Sequence, residues 1–333
     1  MAAVNRSWFV EADFEPSTGL PHVRLDAGKR TELGRRNAEI ISIFVSNPEH
    51  LPVLNALDEL LAVGSAQKEA GLRQYALRIT GPSGAGKSTV CDHFARVVAA
   101  RGSIGSEEMP VVRVELEQAC TPKRMWAAVL GKFGDEFIGS GDEEQLRRRA
   151  YKALQRARTR LLILDETQHL FYKSKGGSVP TDCIKRFLDD GVVPVALAGN
   201  EDARLLLESN VQLVNRMMPP ADIRALDPAS AGDRSSFAGW VVRFDKAIQA
   251  KGLFDRTSGL DDPRIVAALM EVSGGILGRA ANLVRAAAFI AYGRDAAFIE
   301  LCDLSNATVR WAVAQGVVAA DPFRHGCRKP SRG

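Results

Sequence analysis

The residues best suited to chemistry lie in one short glycine-rich segment. Residues 81–88 read Gly-Pro-Ser-Gly-Ala-Gly-Lys-Ser and fit the pattern G-x-x-x-x-G-K-[ST] of a phosphate-binding loop. Glycines allow successive backbone N–H groups to turn toward phosphate oxygens, Lys87 reaches the β- and γ-phosphates, and the Ser88 hydroxyl ligates Mg²⁺. The residues predicted to contact the nucleotide are Gly81, Pro82, Ser83, Gly84, Ala85, Gly86, Lys87, Ser88 and Thr89.

The segments on both sides of this loop support that interpretation. Residues 74–80 read as a strand, and residues 89–100 carry Val90, Phe94 and Val97 at helical spacing. A strand that enters the loop and a helix that leaves it are the context the motif requires, and they place the positive end of the helix dipole at the phosphates. The alternative is a glycine-rich turn that matches the pattern by chance, and the flanking segments argue against it.

An acidic pair at the end of another predicted strand supplies the second half of the site. The continuous apolar run Leu161–Leu164 suits a strand buried on both faces of a parallel sheet, and it ends at Asp165-Glu166. We expect Asp165 to hold Mg²⁺ opposite Ser88, and Glu166 to orient and polarise the attacking water. The alternative is an exposed acidic cap of a following helix.

Three further residues are candidates for contacts with the γ-phosphate. Asn200 ends the next buried strand, where its amide would bond the attacking water or the phosphate; ordinary Asx-turn chemistry is the alternative. Arg216 lies where the chain leaves the α/β region and would serve a neighbouring subunit's site if it sits on the outer face. Arg279, near the start of a later helix, would reach its own nucleotide. Spacing alone favours a surface salt bridge for either arginine.

Positive charge is concentrated on one predicted helix. Residues 145–160 contain seven Lys and Arg and no Asp or Glu, so the helix is either a solvated face or a contact with a phosphate backbone. Two more basic residues follow the second strand. The residues that we consider for contact with DNA are Lys123, Arg124, Arg147 and Arg148.

The order of the elements predicts an α/β domain followed by a helical one. Strands and helices alternate from Tyr75 to Ala198, which predicts a doubly wound parallel sheet with the site at the carboxyl ends of its strands. After about Ile223 only helical patterns remain. The predicted division is a flexible arm over 1–35, an α/β nucleotide-binding domain over 36–222, a small all-α domain over 223–317 and a basic, flexible tail over 318–333.

The bulk composition places few limits on function. Of the 333 residues, 46% are apolar and 25% are charged, as in soluble globular proteins, and the formal charge of +4 does not by itself indicate nucleic acid. Five scattered cysteines without a C-x-x-C pair argue against a disulfide framework. There is neither a secretory signal nor an apolar run of about 20 residues. We expect a cytoplasmic protein that makes no contact with a membrane.

Taken together, these motifs resemble those of AAA+ ATPases, which pair an α/β nucleotide domain with a helical lid and usually assemble as rings or helical filaments. Within that superfamily, the chain resembles the TniB and TnsC group, the ATP-dependent regulators of certain DNA transposons. The resemblance covers roughly residues 35–315. It rests on the leader at 50–61, the loop at 80–89, the run at 164–170 and the lid segment at 273–283.

The resemblance implies a role for each candidate residue. ATP and Mg²⁺ would be handled by Lys87, Ser88, Asp165 and Glu166. Asn200 would be the first sensor residue. Arg216 would be the arginine finger that acts on the neighbouring subunit, and Arg279 would be the sensor residue in the lid. In such proteins ATP drives oligomerisation on duplex DNA, and the assembly recruits a transposase to its target, so slow, assembly-coupled hydrolysis is expected.

Two other functions use the same kind of loop. A switch or helicase-loader-type ATPase would act on a protein client without direct contact with DNA. A small-molecule kinase would need an acceptor pocket and usually a mobile lid inside the α/β domain, and both the helical C-terminal domain and the Asp165-Glu166 pair argue against it. The ATPase rate with and without duplex DNA separates the first alternative from a DNA-bound assembly factor.

Overall fold

The computed structural model describes residues 27–101, 108–170 and 180–325. Within them, the strands are β1 (Ala76–Thr80), β2 (Val111–Glu115), β3 (Leu161–Asp165) and β4 (Val195–Gly199). The helices are α1 (Ala27–Ser42), α2 (His50–Glu69), α3 (Lys87–Ala100), α4 (Pro122–Gly131), α5 (Glu143–Arg156), α6 (Pro180–Asp189), α7 (Glu201–Glu208), α8 (Val211–Val214), α9 (Ala231–Ala250), α10 (Pro263–Ser273), α11 (Leu277–Gly293), α12 (Leu301–Thr308) and α13 (Pro322–His325). A 3-10 turn follows β3 at Thr167–Leu170, and a π-helical turn follows α12 at Val309–Val313.

The four strands form one parallel sheet in the order β1-β4-β3-β2. Every residue of β3 and β4 is buried, which explains why both strands have uninterrupted apolar sequences up to their carboxyl ends. Strand β4 begins at Val195, directly after Pro194, which has no N–H to donate to the ladder. The predicted fold class, a parallel sheet flanked by helices with a helical C-terminal region, is confirmed.

The segment after α8 runs beside the free edge of β1 as an irregular extra strand. The Met218 N–H donates to the Ala76 carbonyl at 2.8 Å, and further along the Ile223 N–H donates to the Thr80 carbonyl at 2.7 Å. The pairing shifts by one residue between these two bonds, because the intervening Pro219-Pro220 pair supplies no N–H.

This extra strand reaches the phosphate loop itself. A Cβ on Gly81, the first residue of the loop, would lie 2.3 Å from the backbone oxygen of Ile223. Only glycine allows two backbone segments to approach this closely. The extra strand therefore supports the loop from the side of the sheet edge.

The chain divides into two compact units. One comprises residues 46–225 and contains the sheet; the other combines the chain up to residue 45 with the residues from 226 onward. The division after Ala225 lies close to the predicted boundary at residue 222. Residues 36–45, which the predicted division assigns to the nucleotide-binding domain, group with the C-terminal helices instead.

Helix α1 belongs to the helical unit. It begins at Ala27, within the stretch 1–35 that was predicted to be a flexible arm. Its first half is polar and is held by surface ion pairs, such as that of Arg35 with Glu32 at 2.7 Å, so apolar periodicity does not reveal it. Residues 1–26 of the predicted arm lie outside the described residues.

The core of the helical unit is formed mainly by α9, α10, α11 and α12. Trp240 and Phe244 stack with ring centroids 5.0 Å apart, and the Trp240 N–H donates to the Val45 carbonyl at 3.1 Å. The predicted tail begins with ordered structure, because buried Asp321 accepts a hydrogen bond from Ser305 at 2.5 Å. Residues 326–333 of the tail lie outside the described residues.

Across the three described ranges, no helix combines the length and apolar character needed to cross a bilayer.

Candidate nucleotide-binding site

The phosphate loop connects the carboxyl end of β1 to the amino end of α3. Gly84 and Gly86 have φ angles of 82° and 93°, which lie in the left-handed region that favours glycine. A Cβ on Gly86 would also lie 2.9 Å from Nε2 of His50. The turn therefore depends on glycine at this position, and it places the first amides of α3 at the loop, as an anion site requires.

Lys87 lies over this loop as its first helical residue. Its Nζ donates to the carbonyl oxygens of Gly81 and Pro82 at 2.8 and 3.1 Å. Burial lowers the pKa of the Lys87 ammonium, and the nearby carboxylates of Glu166 and Asp165 oppose part of that shift. Lys87 follows β1 and Asp165 ends β3, so the parallel sheet places the loop and the acidic pair at the same edge.

Asp165 is almost fully buried at the carboxyl end of β3, with 1% of its surface exposed. A buried carboxylate needs a charged or hydrogen-bonded partner. The Arg113 guanidinium of β2 supplies it at 2.7 Å and also contacts Asp92 of α3 at 2.7 Å. Burial alone would lower the pKa of Arg113, but the two carboxylates raise it above its ordinary value.

Sequence reasoning assigned Arg113 no role. One signal was present, because an arginine in the middle of the apolar strand Val111-Val112-Arg113-Val114 is unusual without a buried acidic partner. The register explains the contact. Glu115 pairs with Asp165, so Arg113 lies two residues earlier on the same face of the sheet.

Glu166 has an unusual backbone conformation, with φ of 60°. A non-glycine residue in the left-handed region costs free energy, and such residues are common at functional sites. Its N–H donates to Oδ1 of Asp165 at 2.9 Å, and its carboxylate accepts a hydrogen bond from the Gln168 amide. The strained backbone turns the Glu166 side chain away from β3 and toward the 3-10 turn.

Gln168 joins Glu166 to the end of β4. Its Oε1 accepts from the Asn200 N–H at 3.3 Å, while its Nε2 donates to Glu166. A Cβ on Gly199 would lie 2.9 Å from that same Oε1, so glycine allows the contact. Sequence reasoning did not identify Gln168, because this role depends on contacts across the sheet.

The Asn200 side chain caps helix α7. Its Oδ1 accepts from the Ala203 N–H at 3.2 Å, and its Nδ2 donates to Asp202 at 3.3 Å. This is the Asx geometry that was the alternative interpretation of Gly199-Asn200. The cap also fixes Asn200 beside Gln168, and a role as a sensor stays a prediction.

Ser88 and Asp165 provide oxygen ligands that suit Mg²⁺. Ser88 occupies the first turn of α3, beside Lys87, and Asp165 ends β3 at the same edge of the sheet. Hydroxyl and carboxylate oxygens are the ligands that this hard cation prefers. Thr89 follows on the exposed side of the helix.

Arg216 lies at the opposite end of β1 from the loop. Its carbonyl accepts from the N–H of Ala76, the first residue of β1, at 2.8 Å, whereas the loop follows Thr80 at the other end. Its guanidinium forms a two-pronged ion pair with Asp189 of α6 at 2.7 and 3.1 Å. Arg216 is therefore not part of the phosphate site of its own chain.

Arg279 belongs to the other unit, where it occupies the first turn of α11 and is partly buried. Its N–H donates to the Ile276 carbonyl at 3.0 Å. The backbone position is that of a residue at a helix start, as the sequence predicts. Its proposed function as a lid sensor stays a prediction.

The four basic residues considered for contact with DNA differ in how exposed their side chains are. Lys123 and Arg124 are exposed in the first turn of α4, and Arg148 has 72% of its side chain exposed although it contacts Glu144. Arg147 is only 17% exposed, contacts Asp190 at 3.1 Å and lies over the Tyr151 ring. We infer that Arg147 mainly stabilises α5, and that the other three are available to a ligand.

Comparison with known proteins bears on both the fold and the family. A sequence profile of the family described as "TniB: Bacterial TniB protein" matches residues 43–222. The Aeropyrum pernix ORC1 protein, solved in complex with DNA, is 19% identical with a TM-score of 0.58, over 83% of this chain and 69% of that one. No curated protein matches the sequence.

Two further solved structures have similar folds. The Aeropyrum pernix ORC2 protein, in ADPNP and ADP complexes, is 13% identical with a TM-score of 0.55, over 81% of this chain and 71% of that one. CDC6P from Pyrobaculum aerophilum is 12% identical with a TM-score of 0.56, over 82% of this chain and 70% of that one. At these identities the similarity shows the fold alone.

We expect Arg113→Met to destabilise the nucleotide-free protein by about 3 kcal/mol, because it leaves the buried Asp165 carboxylate without its cation. Arg101→Met is the matched control. It breaks an arginine–aspartate pair with Asp58 whose side chains are about half exposed, and it should cost less than ~1 kcal/mol. Urea unfolding monitored by circular dichroism measures both.

The double variant Arg113→Met/Asp165→Asn should recover part of the loss, since neither charge remains buried alone. Equal destabilisation by Arg113→Met and Arg101→Met would show that Arg113 does not hold Asp165.

Proposed function

Because the chain belongs to the TniB family and has the fold of AAA+ ATPases, we propose that it binds and hydrolyses ATP with Mg²⁺, assembles on duplex DNA, and recruits or regulates a transposase there. The observation that carries this proposal is that the parallel sheet places Lys87, after β1, and the Asp165-Glu166 pair, at the end of β3, at one edge. That combination of a phosphate-binding loop with a metal carboxylate and a base is what ATP hydrolysis requires.

Each residue has a defined part in the proposed reaction. The amides of the phosphate loop and Lys87 bind the phosphates, and Lys87 exchanges its present carbonyl partners for phosphate oxygens. Ser88 and Asp165 would hold Mg²⁺, which would neutralise charge on the phosphates when bound. Glu166 accepts the proton of the attacking water.

Hydrolysis is proposed to be slow in the isolated chain. The Glu166 carboxylate already accepts a hydrogen bond from Gln168, which lowers its ability to accept a proton from water. Gln168 is in turn bonded to Asn200 at the end of β4. A neighbouring subunit that moves this segment would release Glu166, and this couples turnover to assembly.

The proposed subunit interface surrounds Arg216. Val211 and Val214 of α8 are 68% and 41% exposed, and Leu205 of α7 is 56% exposed. A cluster of exposed apolar side chains marks a surface that another protein covers. Because Arg216 follows α8 directly and lies away from its own phosphate loop, we propose that it acts on the nucleotide of the neighbouring subunit.

The proposed DNA contact uses exposed basic side chains of α4 and α5. Lys123 and Arg124 have no side-chain hydrogen bond or ion pair within the described parts of the chain, and Lys152 and Arg156 continue the exposed face of Arg148 at helical spacing. Basic side chains of this kind contact phosphates without reading bases. Related folds include a protein solved in complex with DNA.

Glu166→Gln should retain ATP binding but lower hydrolysis by about 100-fold or more, because the amide cannot accept the proton. Assemblies on DNA should persist with ATP, as seen by negative-stain microscopy and sedimentation. Lys87→Ala should not bind nucleotide and, without nucleotide-binding partner subunits, should not form assemblies on its own. Glu115→Gln, at the exposed end of the neighbouring strand, is the matched control. Wild-type hydrolysis by Glu166→Gln would rule out its assignment as the base.

Lys123→Glu/Arg124→Glu should weaken duplex DNA binding and reduce the slope of log K against log salt by about 2, since two phosphate contacts are lost. Fluorescence anisotropy over a salt series measures both quantities, with exposed Lys68→Glu on α2 as the control. If the wild-type chain binds no DNA and its ATPase rate is unchanged by DNA, the function on a protein client is favoured instead.

Mixing Arg216→Ala with Lys87→Ala should restore ATPase activity that neither variant has alone, because one mixed interface then contains an intact loop and an intact arginine. The rate of phosphate release across a titration of the two variants measures this. Activity that stays at the sum of the separate variants would show that Arg216 is not shared between subunits.

A further inference from the structure

A groove in the helical unit lies outside everything the proposed ATPase chemistry uses. It has a volume of about 590 Å³ and is formed by α1, α11, α12 and the π-helical turn. Its principal lining residues are Ile41, Arg285, Phe289, Ile290, Arg310 and Trp311. We call it the α1–α11 groove.

The groove exposes apolar side chains to solvent. Ile41 and Phe289 are 56% and 47% exposed, and Trp311 is only partly buried. The π-helical turn brings Trp311 and Arg310 to the groove, and such turns occur often at functional sites. An apolar patch of this kind favours an apolar occupant.

The groove also carries positive charge that lacks a carboxylate partner. The Arg285 guanidinium donates to Oδ1 of Asn282 at 3.1 Å and to the Ile41 carbonyl at 3.4 Å, both of them neutral. Its Nε is buried and has no hydrogen-bond partner among the described residues. Burial lowers the pKa of Arg285, and no carboxylate among the described residues contacts its guanidinium.

Arg310 adds a second positive charge at the exposed side of the groove. It has neither an ion pair nor a side-chain hydrogen bond within the ranges the structure describes. Guanidinium groups bind carboxylates in a planar, two-pronged geometry. The preferred occupant is therefore a segment that combines apolar or aromatic side chains with carboxylates.

The chain contains one such segment ahead of α1. Residues 8–15 read Trp-Phe-Val-Glu-Ala-Asp-Phe-Glu, with three aromatic and three acidic residues and no basic one. Apolar and acidic residues alternate over residues 10–15, so an extended backbone places them on opposite sides. We propose that residues 8–15 dock in the α1–α11 groove of their own chain, with apolar side chains against the apolar lining and carboxylates toward Arg285 and Arg310.

The other end of the chain does not fit the groove. Residues 326–333 carry Arg328, Lys329 and Arg332 and contain no acidic or aromatic residue. The two groove arginines would repel them. Charge therefore selects the segment at the amino end.

The connecting length permits docking within one chain. Ile41 lies fourteen residues beyond Ala27, the first residue of α1, which corresponds to about 21 Å along the helix axis. The eleven residues from 16 to 26 span up to ~36 Å when extended. The segment can therefore return along α1 to the groove.

Photo-crosslinking tests the proposal on the full chain. With Phe289→p-benzoylphenylalanine, irradiation should crosslink the groove to the tryptic peptide 7–24, identified by mass spectrometry. In a mixture of ¹⁵N-labelled and unlabelled chains, the two peptides of each crosslinked product should carry the same isotope, because docking is within one chain. Leu72→p-benzoylphenylalanine, on an exposed apolar residue of the other unit, is the control and should not give this product.

Charge reversal tests the recognition. Arg310→Glu should lower the crosslink yield several-fold, and adding Glu11→Arg should restore much of it, with circular dichroism to confirm folding. Trp8→Ser/Phe14→Ser should also lower the yield, again with circular dichroism to confirm folding. Crosslinks to other peptides, to added duplex DNA or between chains that carry different isotopes would overturn the proposal. A yield that neither charge reversal nor Trp8→Ser/Phe14→Ser changes would also overturn it.

Discussion

The buried charge at the carboxyl edge of the sheet is the constraint on which the rest of the site depends. A carboxylate as deeply buried as that of Asp165 is stable only with a cation, and Arg113 meets this requirement from the adjacent strand. Parallel pairing places the ends of β2 and β3 side by side, so the two groups meet without any loop having to bring them together. Because Arg113 also binds Asp92 of α3, the same ion pairs connect the acidic strand to the helix that begins at Lys87.

A second set of contacts, all of them hydrogen bonds, connects the carboxyl end of β3 to the carboxyl end of β4. Glu166 is bonded to Gln168, Gln168 to the backbone of Asn200, and Asn200 to the start of α7. A change at any of these groups alters the hydrogen bonding of the Glu166 carboxylate. Helix α7 is therefore connected to the proposed base, Glu166, through Gln168 and Asn200.

The parts of the structure that the sequence predicts well are those encoded by local pattern. The phosphate loop, the apolar runs of β3 and β4 and the periodic helices of the C-terminal unit each depend on residues close together in the chain. Arg113, Gln168 and His50 were missed because their partners are distant in sequence. His50, for example, lies against the loop with Nε2 3.4 Å from the Ala85 carbonyl.

Other differences have equally specific causes. Helix α1 is concealed by its polar first half, and the helix α7 cap at Asn200 looks like an ordinary turn because the same Asx bond forms both. The strand-like segment beside β1 was not recognised because Pro219-Pro220 interrupts its ladder. Local side-chain contacts form the first two features, whereas pairing with β1 decides the conformation of the third.

The position of Arg216 limits how the site can be completed. Five residues of β1 separate it from the phosphate loop, about 13 Å along the strand, and its guanidinium is held by Asp189 on the far side from the loop. Stabilising the charge that develops during phosphoryl transfer needs a cation near the γ-phosphate in addition to Lys87. Within the sheet-containing unit Arg216 cannot supply it to its own nucleotide. In the proposed reaction this charge would come from a neighbouring subunit or from the helical unit, and either source would make hydrolysis depend on more than the sheet-containing unit.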